Sequence, residues 1–163
     1  MIFERLMLND EKQIREMSGM ATEIVREHFD PIIGKAQNDY MIEKYQTADA
    51  IRDQLKQGYQ YYFIYDSGLC IGFLAFYPKD KAMYLSKFYL YKKYRGKGYA
   101  RQMMDFVIRN AKLAGLTAVE LNVNRNNSAI RVYEKLGFTV IRAEKNDIGS
   151  GFYMDDYVYS LQI

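Results

Sequence analysis

The residues best suited to chemistry lie in a basic, glycine-rich segment, Arg95-Gly-Lys-Gly-Tyr-Ala100. It follows an aromatic run over residues 83–91 that is typical of a β-strand, and it precedes apolar residues at helical spacing. The first backbone N–H groups of a helix have no partner within it, and the helix dipole adds partial positive charge there. Together with Arg95, Lys97 and Arg101, these groups predict a phosphate or pyrophosphate site. The alternative is an ordinary tight turn that needs glycine only for its backbone.

Composition narrows the class of protein. The chain has 163 residues, 49% hydrophobic and 26% charged, which is typical of one globular domain over residues 1–163. A net charge of +3 is too small to indicate nucleic acid as a partner. With one cysteine, Cys70, and one histidine, His28, neither a disulfide nor a metal site is expected. Charged residues interrupt the first ten positions before any apolar run reaches signal length, so we expect a cytoplasmic protein with no membrane contact.

The hydrophobic patterns predict a mixed α/β fold, with a largely antiparallel central sheet flanked by helices. The first helix is capped by Asn9 or Asp10 and is expected to end before Pro31, because the residue before a proline avoids helical geometry. A helix over residues 99–113 joins two strands, which predicts one parallel pair. The predicted strands are residues 1–8, 59–65, 69–77, 83–91, 117–123, 138–143 and 152–161, and further helices lie within 39–45, 47–58 and 126–136.

Two segments make the chain resemble the GNAT superfamily, the Gcn5-related N-acetyltransferases. Residues Arg95 to Ala100 fit its acetyl-CoA signature, Arg/Gln-x-x-Gly-x-Gly/Ala, and the strand Phe88-Tyr-Leu90 precedes them at the expected spacing. The run Asn126-Asn-Ser-Ala-Ile-Arg-Val-Tyr-Glu-Lys-Leu-Gly-Phe138 is similar to a second family landmark. The specific match to the family's sequence motifs covers residues 85–138. The resemblance implies a single acetyltransferase domain whose sheet is splayed at the cofactor cleft.

The resemblance also implies a role for each matching residue. Backbone amides of the glycine turn would hold the pyrophosphate of acetyl-CoA, and the preceding strand would hydrogen-bond the pantetheine arm and the thioester carbonyl. The cofactor-binding residues implied in this way are Phe88, Tyr89, Leu90, Arg95, Gly96, Lys97, Gly98, Tyr99, Ala100, Asn126 and Tyr133. Tyr133 would also protonate the departing thiolate as the catalytic acid. For Asn126 the alternative role is helix capping, and for Tyr133 it is a place in the core.

The expected reaction is transfer of an acetyl group from acetyl-CoA to a primary amine by direct attack. Many GNAT enzymes carry a glutamate base on the strand before the glycine turn, but residues 84–91 contain no carboxylate. The general base is therefore open among five candidates, namely Glu23, Glu27, His28, Asp155 and Asp156. The alternative is that backbone carbonyls and a water chain suffice, because most of the rate could come from positioning. Acidic and aromatic residues in segments 27–45 and 152–157 would suit a cationic acceptor such as a polyamine or a peptide amine.

The two alternatives are a dinucleotide-binding protein and a CoA-binding protein with little catalysis. A dinucleotide-binding fingerprint requires a third glycine where this chain has Arg101, and three antiparallel strands before the turn do not fit a doubly wound sheet. A CoA-binding regulatory or interaction protein with little catalysis stays open, because the strand carboxylate is missing. A homodimer is possible through an open sheet edge.

Overall fold

The computed structural model describes all 163 residues and has a mixed α/β fold. Helices flank a seven-stranded, mostly antiparallel open sheet with strand order β1-β2-β3-β4-β5-β7-β6, which confirms the predicted fold class. None of the five helices is long and apolar enough to cross a membrane. The strands are β1 (Ile2–Arg5), β2 (Gln60–Asp66), β3 (Leu69–Lys79), β4 (Ala82–Leu90), β5 (Ala118–Asn124), β6 (Thr139–Gly149) and β7 (Phe152–Gln162). The helices are α1 (Glu11–Ile33), α2 (Lys35–Tyr45), α3 (Ala48–Lys56), α4 (Tyr99–Leu113) and α5 (Ile130–Lys135).

The chain forms two compact units. The first comprises Met1–Phe76 and Lys87–Lys97, and the second comprises Tyr77–Ser86 and Gly98–Ile163. In the first unit β1, β2 and β3 form an antiparallel meander. Its core is made of buried apolar residues from β1–α1, α3, β2 and β3, namely Leu6, Ile14, Met17, Met20, Ala21, Ile24, Ile51, Tyr61, Phe63, Phe73 and Ala75.

Helix α1 is longer than the sequence predicted. Asp10 caps it by accepting a hydrogen bond from the backbone N of Gln13 at 3.1 Å, as expected. The prediction that it ends before Pro31 is wrong, because the helix continues to Ile33 and stops at Gly34, whose φ is 84°. Pro31 lies in the last turn, where its missing N–H removes only one helical hydrogen bond.

In the second unit, the first residues of β4 pair with β5 and confirm the predicted parallel pair. Ala82, Met83 and Tyr84 are in register with Ala118, Val119 and Glu120. β5 then pairs with β7 in antiparallel fashion, and β7 pairs with β6. Helix α4 buries Met103, Met104, Val107 and Ala111.

Two strands extend beyond their predicted ends. β3 runs through Pro78 to Lys79, where a turn was expected, and β6 runs to Gly149 rather than Ala143. In both cases a strand end exposed to solvent carries polar residues, which resemble a loop in the sequence.

Candidate active site

The glycine turn begins after a short 3₁₀ turn, Lys92–Tyr94, and leads into α4. Gly96 and Gly98 have φ values of 76° and 83°, so a side chain at either position would strain the backbone. A Cβ atom at either glycine would meet no heavy atom within 4 Å, which leaves open space beside the turn. Gly98 is the N-cap of α4, and no side chain caps this helix end. These features match what an anion-binding helix start requires.

The basic side chains before α4 carry charge that no carboxylate neutralises. The Nε atom of Arg95 donates to the carbonyl O of Leu90 at 3.2 Å, and its Nη1 lies 3.3 Å from Nδ1 of His28. The ammonium groups of Lys93 and Lys97 lie 5.2 and 5.9 Å from the ring centroid of Tyr94. None of these three cations belongs to an ion pair within 4 Å. A positive potential therefore remains at the turn.

The end of β4 is held at close range by β3. An ideal Cβ atom on Gly72 would lie 2.1 Å from the carbonyl O of Tyr89, so only glycine permits this approach. The backbone N of Tyr91 donates to the carbonyl O of Ile71 at 3.0 Å. The ring of Tyr89 packs against Phe73, with ring centroids 5.5 Å apart. The position of residues 88–90, expected to bind the pantetheine arm, is thus fixed by a glycine that the sequence analysis did not single out.

Lys87 precedes this segment and is a buried cation, only 5% exposed. Its Nζ donates to the carbonyl O of Tyr45 at 2.8 Å, to Oε1 of Gln46 at 2.9 Å and to Oε1 of Gln54 at 3.2 Å, and it contacts the hydroxyl of Tyr61. These partners are all neutral. Burial therefore lowers the pKa of Lys87 to about 7.

Helix α5 carries the second family landmark. Tyr133 is buried, and its ring meets that of Phe138 edge-on, with centroids 5.8 Å apart. Asn126 is exposed, whereas the neighbouring Asn127 is buried and its Oδ1 accepts a hydrogen bond from the backbone N of Ala129 at 2.9 Å. This bond forms a turn before α5, whose N-cap is Ala129 without a side-chain cap, so the prediction that an asparagine caps this helix is wrong. Asn126 keeps an exposed side chain at the position matched to cofactor contact.

A polar cluster crosses the sheet of the second unit. The hydroxyl of Tyr84 donates to Oδ1 of Asn122 at 2.8 Å. The Nδ2 atom of Asn122 donates to Oε2 of Glu144 at 3.3 Å and to Oδ2 of Asp156 at 3.4 Å. Burial raises the pKa of Asp156, and the nearby charges of Asp155 and Glu144 raise it further against the opposing hydrogen bond from Asn122.

The five candidate bases have different environments. Glu23 and Glu27 are exposed on α1, and His28 is engaged with Arg95. Asp155 forms an ion pair with Arg125 at 2.5 Å. Asp156 is 3% exposed and forms no ion pair. Among the five, Asp156 is the only buried residue, and burial raises its pKa.

Comparison with known proteins identifies the class to which this fold and these motifs belong. Residues 23–154 match the acetyltransferase (GNAT) domain family. The chain therefore belongs to the GNAT acetyltransferase family, as its sequence motifs indicated.

Two relatives share part of the sequence. GCN5-related N-acetyltransferase 6, chloroplastic, of Arabidopsis thaliana is 32% identical over 80 residues, which cover 48% of this chain and 26% of that protein. The uncharacterized N-acetyltransferase YycN of Bacillus subtilis (strain 168) is 37% identical over 62 residues, covering 37% of this chain and 39% of that protein. The matched part is therefore less than half the length of either relative.

A solved structure shares the fold over its whole length. The PaiA N-acetyltransferase from Thermoplasma acidophilum, in complex with coenzyme A, has a TM-score of 0.76 and covers 100% of both chains at 18% identity. At this identity the similarity establishes the fold.

Proposed function

We propose that this protein transfers the acetyl group of acetyl-CoA to a primary amine by direct attack of the amine nitrogen. The observation that carries the proposal is the glycine turn, where two residues with positive φ lead into a helix start without a side-chain cap. Arg95, Lys93 and Lys97 add charge without carboxylate partners. A pyrophosphate supplies the negative charge and the acceptor oxygens that such a turn lacks.

The proposed donor contacts follow the chain. The amides of residues 95–100 would bind the pyrophosphate, and the backbone of residues 88–90 would hydrogen-bond the pantetheine arm. Asn126 would contact the cofactor near the pantetheine. The PaiA structure with coenzyme A supports a CoA donor for this fold.

The reaction requires two proton transfers. An alkyl amine has a reference pKa of about 10.4 and must lose a proton before it attacks, and the departing thiolate must gain one. We assign the second step to the hydroxyl of Tyr133. Holding the amine against the thioester supplies much of the remaining rate, since positioning alone gives large effective concentrations.

The proposal is tested in two stages on the purified chain. Calorimetric titration with acetyl-CoA and with CoA measures donor binding, and release of free thiol from acetyl-CoA is then followed across polyamines, lysine and peptides with a free N-terminus. Binding with thiol release for at least one amine supports an acetyltransferase. Binding without release for any amine favours a CoA-binding regulatory protein, and no binding contradicts both ideas. The cytoplasmic location, the single domain and the homodimer stay predictions.

A further inference from the structure

Asp156 is the only carboxylate among the buried residues of this protein, and it forms no ion pair. It accepts one hydrogen bond, from the neutral amide of Asn122, at the long distance of 3.4 Å. In the ladder between β6 and β7 it lies directly opposite Glu144, a second carboxylate. Like charges opposite each other destabilise a sheet, and a buried carboxylate without a cation costs free energy. No positive group is paired with Asp156 itself.

Asp30 and Asp39, two acidic residues of segment 27–45 that could attract a cationic acceptor, already have partners. In α2, Asp39 pairs with Arg26 at 2.6 Å and with Lys35 at 2.7 Å. Asp30 accepts a hydrogen bond from Nδ2 of Asn38 at 2.7 Å and lies 3.8 Å from Arg26. In the second unit, Arg142 pairs with Glu144 at 2.7 Å, which leaves Asp156 as the buried carboxylate of the cluster without a cation.

We propose that Asp156 binds the ammonium group of the acceptor and removes its proton, with Asn122 and Tyr84 as positioning residues. The inference deepens the proposed acetyl transfer and rests on it. An alkylammonium supplies the missing positive charge and N–H donors. Asn122 can hold the carboxylate in place because its own Oδ1 is fixed by the hydroxyl of Tyr84 at 2.8 Å.

The proton and electron balance is complete with the groups named. Asp156 takes one proton from the ammonium, and the freed lone pair attacks the carbonyl carbon of the thioester. The C–N bond forms, the C–S bond breaks and the electron pair leaves on sulfur. The second amine proton passes to the thiolate through Tyr133. Asp156 then releases its proton to water, so the products are the amide, the free thiol and one proton.

The environment of Asp156 suits this role. A general base works best when its pKa approaches the working pH, and here burial raises the pKa from the ordinary range of a carboxyl. The charged groups that bear on it are Glu144 on β6, Asp155 beside it on β7, and Arg125, which is bound to Asp155. Glu144 and Asp155 oppose the loss of its proton, and Arg125 favours that loss.

The test compares Asp156→Asn with Asp105→Asn in the full chain. Both variants remove one carboxylate from the second unit, but Asp105 is exposed on α4 and belongs to no ion pair. With an amine that supports thiol release by the wild type, we expect Asp156→Asn to lower kcat/KM for the amine about 100-fold. The KM for acetyl-CoA should stay within about twofold. Asp105→Asn should keep nearly the full rate.

The outcomes distinguish the role proposed for Asp156 from the proposed acetyl transfer itself. A loss of about tenfold or more that is confined to Asp156→Asn, with the acidic limb of the pH–rate profile also removed, supports the proposal. A smaller loss, an unchanged acidic limb, or an equal loss in Asp105→Asn overturns it while acetyl transfer by the wild type stands. Absence of thiol release by the wild type with every amine instead contradicts the proposed function, and the role of Asp156 falls with it.

Discussion

Nη1 of Arg95 lies 3.3 Å from Nδ1 of His28, which connects the first residue of the glycine turn to the C-terminal part of α1. A guanidinium can only donate, so Nδ1 is the acceptor and the imidazole proton is on Nε2. The next residue of α1, Phe29, packs edge-on against Tyr89, with ring centroids 6.1 Å apart. Two consecutive residues of α1 thus contact the segments expected to bind the donor.

Replacing His28 should therefore weaken donor binding. His28→Ala removes the acceptor that holds Arg95, and we expect the KM for acetyl-CoA to rise roughly fivefold, the effect of about 1 kcal/mol from one hydrogen bond. His28→Asn keeps an acceptor at a similar place and serves as the matched control. The KM of both variants for acetyl-CoA is measured by steady-state kinetics at saturating amine. An unchanged KM in His28→Ala would show that this contact does not position Arg95.

Gly98 and Gly115 lie at the two ends of α4 and offer a matched pair of variants. Their φ values are 83° and 75°, and a Cβ atom on either meets nothing within 4 Å. Substitution of either glycine by Ala should therefore strain the backbone and lower the free energy of unfolding by about 1–2 kcal/mol. Only Gly98→Ala should also weaken acetyl-CoA binding, by about tenfold or more, because it alters the amides that are proposed to bind the pyrophosphate. Calorimetric titration and denaturant unfolding measure the two effects, and equal affinities would contradict the assigned anion site.

Features that depend on neighbouring residues were predictable from the sequence. The glycine turn, the capping of α1 by Asp10 and the parallel pair that flanks α4 each follow from a short pattern, and all three are present. The end of α1 was misjudged because the effect of Pro31 depends on where it falls in the helix.

Contacts between distant residues were not predictable in the same way. Lys87 bonds to Tyr45 across 42 positions, and Asn122 bonds to Asp156 across 34 positions. The sequence named Asp156 among five candidate bases but could not separate it from Asp155. The two differ in which side of β7 they occupy and hence in burial, and only the strand pairing decides that.

The buried ammonium of Lys87 predicts an unusual dependence of stability on pH. Its pKa is about 7 in the folded protein and takes the ordinary value of 10.5 in the unfolded chain. Between these values the unfolded chain binds the additional proton, so the free energy of unfolding rises with pH by up to about 1.4 kcal/mol per unit. Below pH 7 both states are charged, and the full cost of burying the ammonium remains.

Urea unfolding of the wild type and of Lys87→Met at about pH 7, 8 and 9 measures this effect. The difference between their free energies of unfolding isolates Lys87, because the contributions of other titrating groups cancel. The wild type should gain stability relative to the variant as the pH rises. A constant difference would mean that Lys87 keeps its charge throughout this range.

Asp156→Asn should stabilise the protein although it impairs the proposed reaction. A raised pKa means that the folded state binds the proton of Asp156 more tightly than the unfolded chain does. Stability therefore falls as the pH rises from the unfolded pKa through the folded one, and this penalty persists at neutral pH. The neutral amide avoids it. Thermal unfolding at pH 7 should give a higher Tm for the variant, and the advantage should disappear below the unfolded pKa of about 3.9. A lower Tm at pH 7 would show that the carboxylate contributes to stability.

Tyr133→Phe tests the proposed acid without changing the size of the buried side chain. The ring keeps its edge-on contact with Phe138, so the fold and the binding of acetyl-CoA should change little. Loss of the hydroxyl removes the proton donor for the departing thiolate, and we expect kcat to fall by about tenfold or more.

Acyl donors with different leaving thiols provide the control. A thiol whose pKa is below the usual value of about 8.5 leaves readily as a thiolate and needs no proton donor. The loss of kcat in Tyr133→Phe should therefore be smaller with such donors. A defect of the same size for every donor would assign Tyr133 to positioning the cofactor, and an unchanged kcat with acetyl-CoA would remove it from the mechanism.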